Sequence, residues 1–278
     1  VVLPVISVIT RVEMDHTGYL GETIKEIARN KAGIIKPAGD VVVGNVAGEA
    51  LQVIKEECRK TGARLWEATA HVKVSVSGAM GLGGQLVSIE TPGLELEDAF
   101  FSLPGAYQLE NLGTAMMVIS LLKAKGWKIN DEAIREALAA LRWPGRLEVV
   151  CDRPLVVIDA AHNPDGTRAL AVSLQELLPG LTRVLVCGIL DDKEARPMLK
   201  NLAASTRLCI ITRPVGERSQ NWREKAVLAR QFFPRVVEEE NIDRALERAV
   251  RECLTHEYIL VAGSFYVLDL ARQYFSCC

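Results

Sequence analysis

From residue 144 onwards, short apolar runs alternate with stretches of helical period, and few folds accept that pattern. The apolar runs are 155–158, 183–188, 207–212 and 258–262. The helical stretches are 165–178, 192–204, 219–232, 241–253 and 265–273. Runs such as Val184-Leu185-Val186-Cys187 leave no polar face for water, which suits parallel strands covered on both sides. Strand–helix alternation of this kind predicts an α/β fold with a doubly wound, mostly parallel sheet.

The first half has a different rhythm. Residues 4–10 and Val41-Val42-Val43 read as buried strands, with helices over 22–35 and 47–60 and a further strand at Arg64-Leu65-Trp66. Over 71–102 the apolar residues alternate with polar ones between glycine-rich breaks, which predicts antiparallel strands. Helices follow at 106–125 and 131–141. Trp143-Pro144-Gly145 is the best boundary in the chain, and it divides it into regions 1–143 and 144–278. The apolar opening run, with no initiator Met, reads as a buried strand of a chain that starts mid-protein.

The 278 residues are 49% hydrophobic, enough for two cores, and the net charge is −2. That balance provides no basic footprint for nucleic acid and no polybasic membrane patch. No apolar run reaches the roughly 18–20 residues that span a bilayer, and the opening run lacks the basic leader and cleavage site of a signal peptide. The 7 cysteines form no Cys-x-x-Cys pair and several lie inside apolar runs. They read as reduced, mostly buried thiols of a cytoplasmic protein.

In open α/β sheets, ligands bind beyond the carboxyl ends of the strands. In the second half those positions are polar. One run ends in Asp159-Ala160-Ala161-His162-Asn163-Pro164, and the next leads to Asp191-Asp192-Lys193. A third leads to Arg213 and on to Gly216-Glu217-Arg218. The last ends in Gly263-Ser264 at a helix start, where unpaired N–H groups favour an anion. Asp159 can accept from a ribose hydroxyl or cap the next helix. His162 can meet a carboxylate or be an ordinary loop histidine. Lys193 can contact phosphate or sit at a solvated helix N-terminus with acidic caps. Arg146, after Pro144-Gly145, can reach a phosphate or lie on the surface.

In the first half, His16 follows a strand end beside Asp15 and Thr17. It can ligate a metal, although Mg²⁺ prefers oxygen, or it can belong to an Asp-His-Thr helix cap. Lys31 lies near a helix end, where a lysine ordinarily extends into solvent. No G-x-x-x-x-G-K-[ST] phosphate loop occurs in the 278 residues.

Taken together these segments resemble the folylpolyglutamate synthase and dihydrofolate synthase family of the Mur ligase superfamily. The first is Asp15-His16-Thr17 with Leu20-Gly21 and Thr23, followed by Lys31-Ala32-Gly33-Ile34-Ile35-Lys36-Pro37. Leu103 through Gln108 and Asn111 resembles the family's L-x-G-x-H-Q-x-x-N element. Trp143-Pro144-Gly145-Arg146 resembles its W-P-G-R, and Asp159 to Pro164 its D-x-A-H-N-P signature. Gly188 with Asp192-Lys193, and Gly263-Ser264 with Tyr266, complete an ordered series over nearly the whole chain.

The resemblance implies the later part of a Mur-type central ATPase domain (1–143) and a Rossmann-like C-terminal ligase domain (144–278). It implies an ATP- and Mg²⁺-dependent ligase that activates a pterin carboxylate as an acyl phosphate and joins it to L-glutamate. By the same carry-over, His16 is a metal ligand. Lys31 is the carbamylated lysine, a catalytic residue that helps organise the metal. Asn111 meets adenine, Arg146 the ATP phosphates and Asp159 the ribose. His162, also placed among the catalytic residues, and Ser264 are the glutamate-side contacts. Small-molecule substrates (a reduced folate or dihydropteroate, and L-glutamate), a monomeric state and no nucleic-acid or membrane partner complete the implied picture. One residue and one three-residue segment depart from the family pattern. Tyr107 stands where histidine is usual, and Arg11-Val12-Glu13 replaces small residues. The family's phosphate loop precedes the position matching Val1, so these 278 residues alone are expected to have little or no ligase activity. Another Mur-type amino-acid ligase, or a non-catalytic binding module, are the alternative readings.

Overall fold

The computed structural model describes residues 2–14 and 20–276, and within it the chain forms two compact units. The first comprises residues up to 80, 84–102 and 106–141; the second comprises 81–83, 103–105 and 142 onwards.

In the first unit, β1 (Ile6–Ile9), β2 (Asp40–Val43) and β3 (Arg64–Glu67) form a parallel sheet in that order. Helices α1 (Ile24–Ala32) and α2 (Gly48–Thr61) connect them and pack on one another. The start of α1 is set by a capping box: the Thr23 hydroxyl accepts from Glu26 N, and Glu26 Oε2 accepts from Thr23 N. Its last turn carries Arg29 and Lys31, where positive charge complements the helix dipole. The core between sheet and helices contains Ile9, Val41, Val43, Ala28, Val53 and Ile54.

A one-turn helix, α3 (Ala68–His71), leads into an antiparallel meander of β4 (Lys73–Ala79), β5 (Gln85–Thr91) and β6 (Leu94–Phe101). Helix α4 (Ala106–Ala124) then runs for 19 residues and packs on both β2 and the meander strands. Contacts on several sides explain why it is apolar nearly all round. Even so, no helix among the described residues is long and apolar enough to cross a membrane. Helix α5 (Asp131–Ala140) covers β6. Asp40 ties this unit together: its buried carboxylate accepts from Trp66 Nε1 at 3.0 Å and pairs with Arg64 and, at 2.5 Å, with Lys125 beyond α4.

The second unit is the doubly wound sheet. Its strands are β7 (Glu148–Asp152), β8 (Leu155–Asp159), β9 (Thr182–Cys187), β10 (Thr206–Thr212), β11 (Val236–Glu239) and β12 (Glu257–Ala262). The order across the sheet is β11-β10-β9-β12-β8-β7, and only β7 is antiparallel. Helices α6 (Pro164–Leu177), α7 (Ala195–Leu202) and α8 (Trp222–Ala229) follow β8, β9 and β10. Helices α9 (Ile242–Glu252) and α10 (Phe265–Tyr274) pack together over the face formed by Val156, Ile158, Val184, Val186, Ile259 and Val261.

The chain therefore winds outward from β8 to β9, β10 and β11, then returns to place β12 between β8 and β9. That reversal makes the carboxyl end of β12 a topological switch point. The backbone there is crowded. Gly263 N donates to Ala161 O and Gly188 N donates to Ala262 O, each at 3.2 Å. Gly263 holds φ at +106°, and a Cβ on it would lie 2.7 Å from Gly188 O.

Three elements escape a reading of hydrophobic period. Strand β7 is half-buried at an edge, β11 has 4 residues and follows Pro234, and α3 is a single turn. The helix expected at 219–232 is shorter: a 3₁₀ turn at Glu217–Ser219 precedes α8, because backbone amides of Gln220 and Asn221 are drawn to Asp191. Cys58, Cys151, Cys187 and Cys209 are buried free thiols and Cys253 is half-buried. Burial holds the Cys187 thiol up at about 12, so it stays protonated and inert.

The amino ends of the second sheet are held by buried charge. Glu257 accepts from Arg207 Nε and Nη2 at 2.7 Å each, from Thr182 Oγ1 at 2.9 Å and from Leu254 N at 3.1 Å. Arg183, 3% exposed, donates to Thr206 Oγ1, Tyr258 Oη, Leu202 O and Ala204 O. The Arg207 guanidinium holds the Glu257 carboxyl at about 2, below its ordinary 4.5. The folded state keeps this group ionised where an unfolded chain protonates it. Its stabilisation, up to about 3 kcal/mol, is complete above pH 4.5 and is lost as pH falls towards 2. Urea unfolding of the wild type and Glu257→Gln across pH 2–7 is expected to show a flatter acid limb in the variant. Gly263→Ala is expected to cost about 1–3 kcal/mol through strain at positive φ and the clash with Gly188 O, read as a lower thermal midpoint.

Candidate active site

The candidate residues of the second unit gather along the carboxyl rim of the sheet. Asp159 ends β8 with its side chain turned inward. Its Oδ2 accepts from Leu147 N at 2.9 Å and its Oδ1 from Ala161 N at 2.8 Å. Leu147 adopts φ of +46° although it is not glycine, and Asp159 holds it there. Asp159 does not cap the following helix. Asn163 does so, with Oδ1 accepting from Gly166 N at 2.7 Å and Pro164 in the first turn.

Arg146 precedes Leu147 on a loop fixed at several points. Gly145 N donates to Glu148 Oε2 at 2.6 Å, Ala160 N donates to Gly145 O at 2.8 Å, and Arg272 grips Glu148 with two nitrogens. The Arg146 guanidinium lies over the Phe265 ring, 5.8 Å from its centroid. His162 reaches the same ring, with centroids 5.6 Å apart. Its Nδ1 is 2.9 Å from Ala160 O. A carbonyl only accepts, so Nδ1 bears a proton and donates it. Ser264 is the N-cap of α10: its Oγ accepts from Tyr266 N at 3.2 Å and the residue is 2% exposed. Arg146, Asp159, His162 and Ser264 thus lie around the ends of β8 and β12.

The rim continues past β9 and β10. Asp191 accepts from Gln220 N, Asn221 N and Lys225 Nζ, and Lys225 and these amides hold its carboxyl below the usual range. Arg218 pairs with Asp192 at 3.5 Å and donates to Tyr266 Oη at 3.4 Å. Lys193 is half-buried at the same edge.

The other candidates belong to the first unit. Lys31, at the end of α1, donates from Nζ to Arg11 O at 2.7 Å, just past the end of β1. The Arg11 side chain pairs with Glu13 at 2.9 Å and with Glu110 on α4. Asn111, next along α4, is exposed and donates to the buried Gln108 Oε1 at 3.0 Å. Lys31 and the start of α4 therefore flank the exit of β1. His16, the expected metal ligand, lies outside the described residues. Among those described, no group of three His, Cys, Asp or Glu side chains stands ready for a metal ion. Phe265 was not singled out in the sequence. Its signal was an aromatic residue at a helix start directly after Gly263-Ser264.

Residues 145–265 match the family model described as "Mur ligase, glutamate ligase domain". The chain is 37% identical to folylpolyglutamate synthase of Lacticaseibacillus casei over 206 residues, covering 74% of this chain and 48% of that protein. It is 30% identical to dihydrofolate synthase/folylpolyglutamate synthase of Bacillus subtilis, covering 98% of this chain and 63% of the relative. The crystal structure of Mycobacterium tuberculosis folylpolyglutamate synthase complexed with ADP and AMPPCP superposes with a TM-score of 0.88 at 29% identity, covering 98% of this chain and 64% of that one. The chain thus spans about half to two-thirds of the length of these relatives. With a glutamate ligase domain over residues 145–265 and similarity in sequence and fold along nearly all of its length, the chain belongs to the folylpolyglutamate synthase/dihydrofolate synthase family of Mur ligases.

Proposed function

We propose that the chain is part of an ATP-dependent ligase that adds L-glutamate to the carboxylate of a reduced folate or of dihydropteroate. The observation that carries this reading is the assembly of Arg146, Asp159, His162 and Ser264 at the switch point of a glutamate ligase domain. In the proposed reaction, the pterin carboxylate takes the γ-phosphoryl group of ATP, giving an acyl phosphate and ADP. The glutamate amine attacks the acyl carbon, the C–O bond to phosphate breaks, and the nitrogen loses a proton as the amide forms.

Each side chain has chemistry suited to a part of that sequence. Asp159 accepts from a ribose hydroxyl. Arg146 offers a planar cation to phosphate. Asn111 presents an amide that both donates and accepts, as an adenine edge requires. The Ser264 hydroxyl and the His162 imidazole address the glutamate, and the amides opening α10 favour its carboxylate. The protein is expected to act as a cytoplasmic monomer.

Mg²⁺ belongs to the proposal through His16 and Lys31. The described residues alone do not fit it: Lys31 is an ammonium that donates to a carbonyl and would repel a cation. Carbamylation would invert that charge and supply oxygen, the donor Mg²⁺ prefers.

The test is an amide-forming assay on the protein expressed from its complete reading frame, with MgATP, L-glutamate and either 7,8-dihydropteroate or tetrahydrofolate. A gain of one glutamate by mass on either pterin is expected, and no gain on both would overturn the folate reading. Lys31→Arg keeps the charge but cannot be carbamylated, and its turnover is expected to fall about 10- to 100-fold.

A further inference from the structure

Phe265 is the first residue of α10, and 53% of it is exposed. A phenyl ring so placed adds little to a core, yet two site residues rest against it. Arg146 reaches it from the loop before β7, and His162 reaches it from the end of β8. The backbone under Arg146 is fixed through Gly145, but its side chain is not: apart from the ring, it makes a 3.3 Å hydrogen bond to Gly145 O. An arginine stem left free to rotate loses much conformational freedom on meeting a ligand. A ring face against the guanidinium reduces that loss beforehand. The imidazole, tethered through Nδ1, also rests against the same ring.

We infer that Phe265 is a positioning residue, a single aromatic platform that presets Arg146 and His162 above the start of α10 before ligands arrive. The inference rests on the reading above, in which these two residues face the nucleotide phosphates and the amino-acid substrate. It explains why a large apolar side chain directly follows the buried Ser264 cap, where a polar residue would suit the exposed helix start better. It also couples the two substrates, because displacing the ring loosens both groups together.

Phe265→Leu keeps apolar bulk and removes the ring, whereas Phe265→Trp keeps a ring. The first readout is NMR on this chain. In Phe265→Leu the Arg146 Nε–H is expected to gain fast mobility and the His162 ring protons to lose their ring-current shift, with Phe265→Trp restoring both. The second is steady-state kinetics on the complete reading frame. Phe265→Leu is expected to raise KM for ATP and for glutamate each about 2- to 5-fold, the range of an exposed cation–π contact, with kcat and the thermal midpoint little changed. Unaltered Arg146 and His162 signals in Phe265→Leu would overturn the platform. Loosened signals with unchanged KM values would overturn its role in positioning, provided Arg146→Ala and His162→Ala themselves raise KM. If those two variants also leave KM unchanged, the assigned roles of Arg146 and His162 fail, and the positioning claim falls with them.

Discussion

The return of the chain to insert β12 between β8 and β9 is the constraint on which the second unit depends. A parallel strand there must be apolar on both faces, and all 6 residues of β12 are buried. The chain leaves β12 into α10, on the face that α9 also covers, whereas it leaves β8 and β9 into α6 and α7, which pack on one another. Departures to opposite sides open a crevice at the carboxyl end of β12. The backbone must then pass within touching distance of the end of β9, and glycine at 263 allows that approach. The polar rim follows from this geometry. Ser264 is far in sequence from Asp159 and His162, but it becomes their neighbour because β8 and β12 are adjacent.

Much of this was legible in the residues. Uniformly apolar runs marked parallel strands, and the polar residues after them marked the rim. What escaped were elements whose stability comes from partners. Strand β7 exists because β8 offers an edge, and α8 starts late because Asp191 captures amides that a longer helix would bury. Side-chain direction was less legible still. As a sequence position, Asp159 could equally have been a cap. Its actual partner, Leu147 N, lies 12 residues upstream, and the contact requires a positive φ that no pattern of hydrophobicity encodes.

Phe265 shows a related limit. Nothing in its own position predicts contact with residues 146 and 162, which reach it from loops set by other interactions: the Glu148–Arg272 pair for one and the β8 exit for the other. Family motifs name the polar members of such a group readily. The apolar member that keeps them in place is inconspicuous, because an aromatic residue at a helix start has many ordinary uses.

The two ends of the second sheet are built from different kinds of bond. At the amino edge, Arg183, Arg207 and Glu257 spend nearly every donor and acceptor on other parts of the same unit. At the carboxyl edge, exposed groups such as Phe265 and Tyr266 make longer contacts. Drift in sequence is therefore tolerated unequally. The rim can exchange side chains, and so change what it accepts, while the clamped edge preserves the scaffold. A lineage of such proteins could diversify its substrates without rebuilding its fold.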